Sequence, residues 1–552
     1  MTLPMESHCI SFSEIPHTTK LFSSFLEDFG RVARFYAHPP TPAGIDAAAR
    51  EVHLDPAVRR EVTEILREQN RSFGAEHQTD PATRRNLDRL AAGAVAIVTG
   101  QQVGLFSGPA YTFYKALSAV RCAEEATKRG TDAVPIFWLA TEDHDLAEVN
   151  HAFWSTRAGL ARYELPASVP DAGRRVGEVL LGEGVQAVVA TAAQTLAGPR
   201  VEEVSRALRE SYAPGETYGS AFGKLMSRLL AGRGIIFMDP LDVRFHRLAR
   251  PVFHQAVREA DLLRNALLAR SKELEEVGFH SQVKVTSETT LLFYSGTGRR
   301  EPVRGRNGSF AVGDSEMSGR KLAEAVDKSP EAFSGSALLR PIVQDSLLPT
   351  AAYIGGPAEI AYMAQSQVVY QSLLGRMPAM LPRASFTVIE PPIARFLAQY
   401  NLEIPDLLAG AQHVRAKMEQ QSLPSALASR FEAGEEALHK LLKEYEEPLA
   451  RLDSTLVDAL HGVEQKILHQ FAQLKGKVGR AENFRSGVLD RHQRILLDAL
   501  YPDGGLQERR LCALPMLAAH GPELLDELTR LSSVTDPGDG PSCARRHQLL
   551  FL

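Results

Sequence analysis

The chain contains few cysteines and no long apolar segment. Four of its 552 residues are cysteines, and no two of them form a CxxC pair. Scattered cysteines in a chain of this length predict reduced thiols rather than disulfides or a zinc site. No apolar run reaches the roughly 18 residues that cross a bilayer, and the N-terminus lacks the basic and apolar regions of a signal peptide. We therefore expect a cytoplasmic protein with no membrane partner.

An excess of basic charge is also missing. The formal net charge is −5 and the isoelectric point is near 6.4, which argues against the basic face that a nucleic acid requires. The hydrophobic share of 44% is that of an ordinary globular protein, and the length suits two or three domains. We therefore expect no nucleic-acid partner.

Two apolar segments that resemble buried strands each end in polar residues. AVAIV at Ala94–Val98 runs into TGQQVGLFSGP and a helical segment, and AVPIFWLA at Ala133–Ala140 runs into TEDHDLAEVNH. A strand, a glycine-rich turn, a helix and a second strand begin an α/β domain. Ligands of such domains bind outside the carboxyl ends of the parallel strands. The sequence thus predicts a site at that edge.

The first polar signature is a glycine-rich turn that matches neither a Walker loop nor GxGxxG. Gly100 and Gly104 let backbone amides approach a ligand near a helix N-terminus, which favours an anion. Gln101 and Gln102 can each donate and accept hydrogen bonds. The alternative is a strand-to-helix turn that needs glycine only for its backbone angles. The two adjacent glutamines favour a binding function.

The second signature groups carboxylates and histidines within ten residues. Its members are Glu142, Asp143, His144, Asp145, Glu148, Asn150 and His151. Seven residues separate the two histidines, so on a helix both would share one face with Glu148 between them. This grouping suits acid–base catalysis, recognition of an amine, or a divalent metal. As an alternative, Asp143 or Asp145 caps a helix, which explains one or two of the acids but not the histidines.

A third group of polar residues follows the later core segments LLRPIVQDSLLP and GGPAEIAY. Arg340 could pair with the carboxylate or phosphate of a ligand. It could equally hold Glu359 in a structural ion pair. Gln344 lies on the same segment as Arg340.

The pattern of apolar and polar residues along the sequence predicts seven consecutive regions. Core segments are expected at 1–158, 215–277 and 335–395, with connecting insertions at 159–214 and, rich in β-structure, at 278–334. A helical coiled-coil domain is expected at 396–510, and a C-terminal tail at 511–552 is expected to pack on the core.

The coiled-coil region carries a repeating apolar stripe. Tyr445, Leu456, Ile467 and Val478 are eleven residues apart, a spacing that predicts a long, straight or slightly right-handed coil. Such a stripe needs a partner helix, either from the same chain or from a second subunit.

Five segments resemble the BshC family of bacillithiol-biosynthesis proteins, the cysteine-adding enzymes. They are VTGQQVGLFSGPAYTFYKALSA, PIFWLATEDHDLAEVNH, GFHSQV, LLRPIVQDSLLPTAAYIGGPAEIAYMAQ and YPDGGLQER. The resemblance runs from about Ile15 to the C-terminal tail. It implies an α/β fold with a Rossmann-like parallel-sheet core, inserted connecting segments and a C-terminal α-helical coiled coil that forms a homodimer.

The resemblance also implies a reaction, the addition of cysteine to glucosaminyl-malate in the last step of bacillithiol biosynthesis. A capacity to bind ADP goes with the family, and ATP is a possible co-substrate. On this interpretation Gly100–Gly108 and Lys115 bind phosphate or carboxylate. His144 or Asp143 takes the proton of the amine, and Glu142 or Asp145 holds the incoming ammonium group.

Two other functions stay open at this point. One is a metal-assisted hydrolase or transferase that uses His144, His151 and the nearby acids. The other is a scaffold that has lost catalysis and acts through its coiled coil. The polar signatures at two strand ends favour an enzyme, because a scaffold has no use for them.

Overall fold

The computed structural model describes residues 6–156, 159–166, 171–306, 308–421, 425–533 and 543–552. Its strands, in chain order, are β1 (Glu6–Ile10), β2 (Val95–Gln101), β3 (Ala133–Leu139), β4 (His151–Thr156), β5 (Gly159–Glu164), β6 (Ile236–Met238), β7 (Thr289–Tyr294), β8 (Glu301–Arg306), β9 (Ser309–Val312), β10 (Ser315–Ser318), β11 (Phe333–Gly335), β12 (Thr350–Gly355), β13 (Ala379–Pro382), β14 (Ser385–Ile389) and β15 (His547–Phe551). Its helices are α1 (Lys20–Glu27), α2 (Pro42–Arg50), α3 (Pro56–Phe73), α4 (Pro81–Ala92), α5 (Tyr111–Lys128), α6 (Leu146–Val149), α7 (Gly184–Thr195), α8 (Val201–Ser211), α9 (Tyr218–Leu229), α10 (Val243–Arg258), α11 (Ala260–Glu276), α12 (Gly319–Lys328), α13 (Arg340–Leu347), α14 (Pro357–Leu373), α15 (Pro391–Gln399), α16 (Ile404–Leu408), α17 (Ala411–Gln421), α18 (Ser425–Leu452), α19 (Thr455–Ser486), α20 (Val488–Leu500), α21 (Gln507–Arg510) and α22 (Leu514–Leu531).

The central sheet has five strands in the order β13-β12-β2-β3-β6, and every neighbouring pair is parallel. This confirms the predicted α/β class and the two strands expected around the polar signatures. The chain moves from β2 to β3 and β6 on one side, and it returns to β12 and β13 on the other. The strand order therefore reverses between β2 and β12, which is where α/β sheets open a crevice for a ligand.

Small side chains hold the helices close to this sheet. Ala119, Cys122, Ala123 and Ala126 of α5 are buried against Ile97 of β2 and neighbouring core residues. Since these side chains are short, the α5 backbone approaches β2 and β3 closely, and the N-terminal turns of α5 follow directly from the glycine-rich turn after β2.

A second sheet has the order β10-β9-β8-β7-β11, and its strands pair in antiparallel fashion. Between Ser281 and Val312 the sequence has short apolar segments separated by glycine-containing turns, a pattern that predicts such a sheet. The turn between β7 and β8 carries Arg300, whose side chain reaches the site described below. In two smaller sheets β4 pairs with β5, and β15 lies between β1 and β14.

The chain divides into two compact units. The first contains the residues up to Trp154, Ala161–Phe386 and Glu508–Leu549; the second contains Ser155–Leu160, Thr387–Gln507 and Leu550–Leu552. Across the parts of the chain that the structure describes, we find no helix with the length and apolar character that a membrane crossing requires.

The expectation of one long helix through the whole stripe is wrong, because the chain turns back on itself between α18 and α19; of the two partners left open, the helix from the same chain is present. The Asp453 carboxylate accepts hydrogen bonds from the backbone N–H and the hydroxyl of Thr455, both at 2.8 Å, and so caps a new helix. His439 Nδ1 lies 2.9 Å from Glu464 Oε1, and the rings of Phe431 and Phe471 are 6.0 Å apart. The two helices therefore run antiparallel, and the eleven-residue spacing continues across a turn.

The expectation of reduced cysteines is wrong for one pair. Cys9 and Cys543 form a disulfide with their Cα atoms 5.8 Å apart, although 534 residues separate them in sequence. Cys122 and Cys512 are buried free thiols. Sequence spacing reveals only local pairs, whereas here strands from distant parts of the chain, β1 and β15, bring the two cysteines together.

Candidate functional site

A cavity of about 530 Å³ opens at the carboxyl ends of β2, β3 and β12, within the first unit. Gly100 and Gln101 end β2, Glu142 and Asp143 follow β3, and Gly356 follows β12. The cavity thus occupies the crevice at the reversal of strand order. Seven of its charged residues fall into two groups by the sign of their charge.

We call Lys115, Arg340, Arg383 and Arg509 the basic wall, and Glu142, Asp143 and Glu148 the acidic wall. Arg383 follows β13, and Glu142 and Asp143 follow β3. These two strands are three sheet positions apart, which separates them by roughly 14 Å at the usual strand spacing. The Arg383 end of the cavity is therefore basic, whereas Glu142 and Asp143 lie towards the other end, with the Arg300 guanidinium beside them.

Lys115 of α5 is the most deeply enclosed charge of the basic wall. Its ammonium group pairs with Glu359 of α14 and donates hydrogen bonds to Gly100 O (2.8 Å) and Gln101 Oε1 (2.9 Å). Burial raises the pKa of Glu359, but the Lys115 charge and the Gly356 N–H outweigh this effect and hold that pKa below its usual range. Glu359 therefore stays ionised, and the pair ties the glycine-rich turn to the first turn of α14.

Arg340 of α13 presents a guanidinium without a carboxylate partner among the described residues. It donates to Gln344 Oε1 at 3.0 Å and to the hydroxyls of Tyr353 and Tyr362 at 3.3 and 3.2 Å. Its charge also lies 5.9 Å from the centre of the Trp138 ring. Because these partners are neutral, the positive charge remains available to an anionic ligand.

Arg383 is held from behind by a buried network. Its guanidinium makes a bidentate contact with Glu508, at 3.0 and 2.6 Å, and Glu508 also accepts hydrogen bonds from Ser385 Oγ and Phe386 N. Nδ1 of His547 lies 2.7 Å from Ser385 Oγ. Burial lowers the pKa of His547 to about 4, so the ring is neutral at pH 7.

The acidic wall is organised by Gln102. The Gln102 amide donates to Asp143 at 2.7 Å and to Glu148 at 2.9 Å. Burial raises the pKa of Asp143, but contacts with His144 and Gln102 and the charge of Arg300 outweigh it and hold that pKa well below its usual range. Asp143 is therefore a stable anion and a weak base.

His144 lies beside the cavity and contacts Arg300. An Arg300 N–H donates to His144 Nδ1 at 3.1 Å. Nδ1 also lies 3.5 Å from Asp143 Oδ1, so this nitrogen contacts both a guanidinium, which only donates, and a carboxylate, which only accepts. Nδ1 of His144 is thus already engaged.

The structure brings eight of the predicted site residues to the cavity: Gly100, Gln101, Gln102, Lys115, Glu142, Asp143, Arg340 and Glu359. The other six predicted site residues are also described by the structure. They do not line the cavity and contact local partners instead. Gln344 supports Arg340, and Asp145 caps α6 through Glu148 N. Gly104 packs against Gly108, since a Cβ on it would meet the Gly108 Cα at 3.0 Å. His144 contacts Arg300 as above.

The helical spacing expected for His144 and His151 is wrong. α6 covers only Leu146–Val149, and His151 begins β4. Asn150 donates to Leu165 O at 3.0 Å, and His151 Nδ1 lies 3.1 Å from Asn150 Oδ1. Asn150 thus pairs with Leu165, which directly follows β5, just before β4 begins. In the described ranges no three His, Cys, Asp or Glu side chains are placed to share a metal ion.

Sequence reasoning missed several residues that line the cavity: Tyr111, Phe293, Arg300, Tyr353, Arg383 and Arg509. Arg383 directly follows β13, so the strand-end argument that found Glu142 would also have found it. Arg300 and Phe293 belong to the second sheet, and Arg509 to α21. Their arrival at the cavity depends on tertiary packing that no local pattern encodes.

Comparisons with known proteins agree with this architecture. The family described as "Bacillithiol biosynthesis BshC, N-terminal Rossmann-like domain" matches residues 5–384, and "Bacillithiol biosynthesis BshC, C-terminal coiled-coil domain" matches residues 386–537. Relatives named "Putative cysteine ligase BshC" include those of Koribacter versatilis, 39% identical over 94% of this chain and 96% of the relative, and of Solibacter usitatus, 38% identical over the same shares. A third, from Salinibacter ruber, is 32% identical over 92% of this chain and 93% of its own length. The sheet order, the cavity at its reversal point and these matches lead to one conclusion: the chain belongs to the BshC family of bacillithiol-biosynthesis proteins.

Proposed function

We propose that this protein joins the carboxyl group of cysteine to the amine of glucosaminyl-malate in the cavity between β2 and β12. The observation that supports this most directly is the division of the cavity into an acidic and a basic wall. Glucosaminyl-malate carries an amine and the two carboxylates of its malate group. The amine matches Glu142, Asp143 and Glu148, and the carboxylates match Arg383 and Arg509.

The chemistry of amide formation sets what the cavity must supply. The amine nitrogen attacks the cysteine carboxyl carbon, a C–N bond forms, a C–O bond breaks, and the nitrogen loses a proton. An unprotonated amine and stabilisation of the developing oxyanion are both needed. The guanidinium of Arg340 is suited to the second task, because its described partners are neutral.

Activation of the carboxyl group requires a co-substrate, and a nucleoside triphosphate is the class that we propose. The first turn of α14 faces the cavity with Gly356, Pro357 and Ala358, but Glu359 already caps this helix by accepting from Gly356 N at 2.8 Å. The N-terminus of α14 is therefore already capped and is not free to bind the phosphate groups.

The test is incubation of the purified protein with cysteine, glucosaminyl-malate and ATP, with the product identified by mass and the nucleotide by chromatography. We expect bacillithiol, and we expect Arg340→Met to lower kcat/KM on the order of 10²-fold. Arg60→Met, on the exposed surface of α3, is the matched control. Absence of bacillithiol with every nucleotide offered would refute the proposed reaction.

We also infer that two copies pair through α18 and α19. The hairpin leaves apolar side chains in solvent, among them Leu441, Tyr445, Leu452, Val463 and Leu474, with exposed fractions between 46% and 79%. A helical face of this kind is stable when a second copy covers it. The occupant that we propose is the same hairpin of a partner subunit, as the family resemblance implies.

Light scattering tests the pairing. Leu474→Asp is expected to halve the molar mass, whereas Gln465→Asp, on an exposed position of the same helix, adds the same charge and should not. An unchanged mass for Leu474→Asp, or a monomeric parent protein, would contradict the pairing.

A further inference from the structure

Behind Glu142 lies a buried histidine that the site described so far does not use. His246 of α10 is 3% exposed, and Glu142 is 9% exposed. The Nε2 atom of His246 lies 3.6 Å from Glu142 Oε1, and this nitrogen has no hydrogen-bond partner among the described residues. Only one of the two side chains faces the cavity, since Glu142 lines it and His246 does not.

The backbone fixes which nitrogen of His246 carries the proton. Nδ1 lies 3.1 Å from the carbonyl oxygen of Phe333. A carbonyl oxygen only accepts, so Nδ1 is the donor. When the ring is neutral, it presents the bare lone pair of Nε2 to the Glu142 carboxylate. Stacking on Phe253, with ring centres 6.3 Å apart and an angle of 29° between planes, helps to hold the ring in this orientation.

Two acceptors therefore face each other across 3.6 Å in a buried place, with room for one proton between them. An unpartnered buried nitrogen of this kind costs free energy. That cost is relieved when a proton arrives, because the pair then forms an N–H···O hydrogen bond of imidazole and carboxyl. The arrangement favours uptake of a proton at the wall of the cavity that faces the amine.

The other candidates for proton uptake are less suited. Asp143 is a weak base, because its pKa lies well below its usual range, and Nδ1 of His144 is already bonded to Arg300. We propose that Glu142 accepts the proton of the attacking amine and that His246 is a positioning residue that shares this proton through Nε2. This inference rests on the proposed amide-forming reaction.

The proton balance of the step is closed within the pair. As the C–N bond forms, the amine proton moves to Glu142 and is shared with Nε2 of His246. It is returned to the phosphate-bearing oxygen that leaves the activated cysteine carboxyl carbon when the C–O bond breaks. The amine enters this step neutral, since its ammonium form has first released one proton to water, and the protein ends the cycle in its starting protonation state.

Charged groups on several elements surround the pair and will influence its titration. Arg300, in the turn after β7, faces Glu142 and opposes proton uptake. Asp242 at the start of α10 faces His246, and Asp239 after β6 faces Glu142; both favour uptake when ionised. Asp143 adds a negative charge next to Glu142 in the chain. Burial raises the pKa of Asp239 to about 6, so its own titration must be separated from that of the pair.

The first test compares His246→Gln with His254→Gln. Both histidines lie on α10, and His254 faces Asp327 across 3.8 Å at the surface, so the control removes a histidine–carboxylate contact outside the cavity. We expect His246→Gln to lower kcat on the order of 10²-fold with little change in KM, and to remove one ionisation from the pH profile of kcat/KM. We expect His254→Gln to behave as the parent protein. An unchanged pH profile for His246→Gln, or loss of that ionisation in His144→Gln alone, would overturn the proposal.

The second test does not depend on activity or on the stability of a variant at position 246. In ¹⁵N-histidine-labelled protein, long-range ¹H–¹⁵N spectra should show the neutral His246 ring with its proton on Nδ1, and Glu142→Gln should shift the titration of this ring. A His246 ring with the proton on Nε2 alone would refute the proposed pairing of His246 with Glu142. If the spectra agree and no bacillithiol forms with the parent protein, the proposed reaction fails while the pairing of these two side chains stands.

Discussion

The two walls of the cavity are built in different ways. The basic wall is anchored in the core: Lys115 pairs with Glu359, and Arg383 pairs with Glu508, which is completely buried. Two members of the acidic wall are held near the surface, where Gln102 bridges Asp143 and Glu148 and where the Asp143 side chain is 34% exposed, whereas Glu142 is buried. The charges of Lys115 and Arg383 are therefore part of the folding energetics, whereas those of Asp143 and Glu148 belong mainly to ligand binding.

This difference separates stability from activity in a way that can be measured. Both tryptophans of the chain, Trp138 and Trp154, are buried in the first unit, so intrinsic fluorescence follows the unfolding of the unit that contains the cavity. Substitutions behind the basic wall should lower the free energy of unfolding. Substitutions at Gln102, Asp143 or Glu148 should leave it almost unchanged and act on turnover.

The largest effect is expected for Lys115→Met. Removal of the ammonium group leaves the buried Glu359 carboxylate without its charge partner, which costs about 3–5 kcal/mol of the free energy of unfolding. The double variant Lys115→Met/Glu359→Gln should lose less than the single variant, because no uncompensated charge remains. Urea unfolding followed by fluorescence measures both. A single variant as stable as the parent would mean that this wall is not part of the core.

A smaller, pH-dependent effect is expected from His547. The pKa of its folded state, about 4, lies below the ordinary 6.5, so the unfolded chain binds a proton that the native protein does not. The stability present above pH 6.5 is therefore lost as the pH falls towards 4, by about 2 kcal/mol between pH 7 and pH 5. His547→Asn keeps a polar group near Ser385 and should flatten this part of the stability profile. The same slope in both proteins would rule out His547 as its source.

The smallest effect on stability is expected in the acidic wall. Gln102→Ala leaves Asp143 and Glu148 to be hydrated, so the free energy of unfolding should change by less than about 1 kcal/mol. KM for the amine substrate should nevertheless rise several-fold, since the two carboxylates lose their common donor. Gln255→Ala removes a comparable amide–carboxylate contact, with Glu259 on α10, and serves as the control. A large loss of stability in Gln102→Ala alone would remove the distinction between the walls.

The sequence predicted the parts of this site that depend on strand ends. The strands β2 and β3 are clear apolar segments in the sequence, and parallel strands bring their carboxyl ends to one edge of the sheet. The residues at those ends are Gln101, Gln102, Glu142 and Asp143. Arg300, Arg509 and His246 come from elements far away in the chain, and only tertiary packing places them. The turn between α18 and α19 escaped prediction because the apolar spacing continues through it, while the signal that ends the helix is a single capping Asp453.

The sheet order β1-β15-β14 has a consequence for how the chain assembles during synthesis. Cys9 in β1 and Cys543 just before β15 are 534 residues apart, so a ribosome that adds roughly 5–20 residues per second makes β15 roughly 30–110 s after β1. The parallel core strands and the cavity residues up to Arg383 emerge within that interval. β1 consequently waits, without its neighbour in the sheet, while most of the first unit folds. Closure of that sheet therefore comes only after β15 has been made, and the two thiols are open to oxidants and reductants until it occurs.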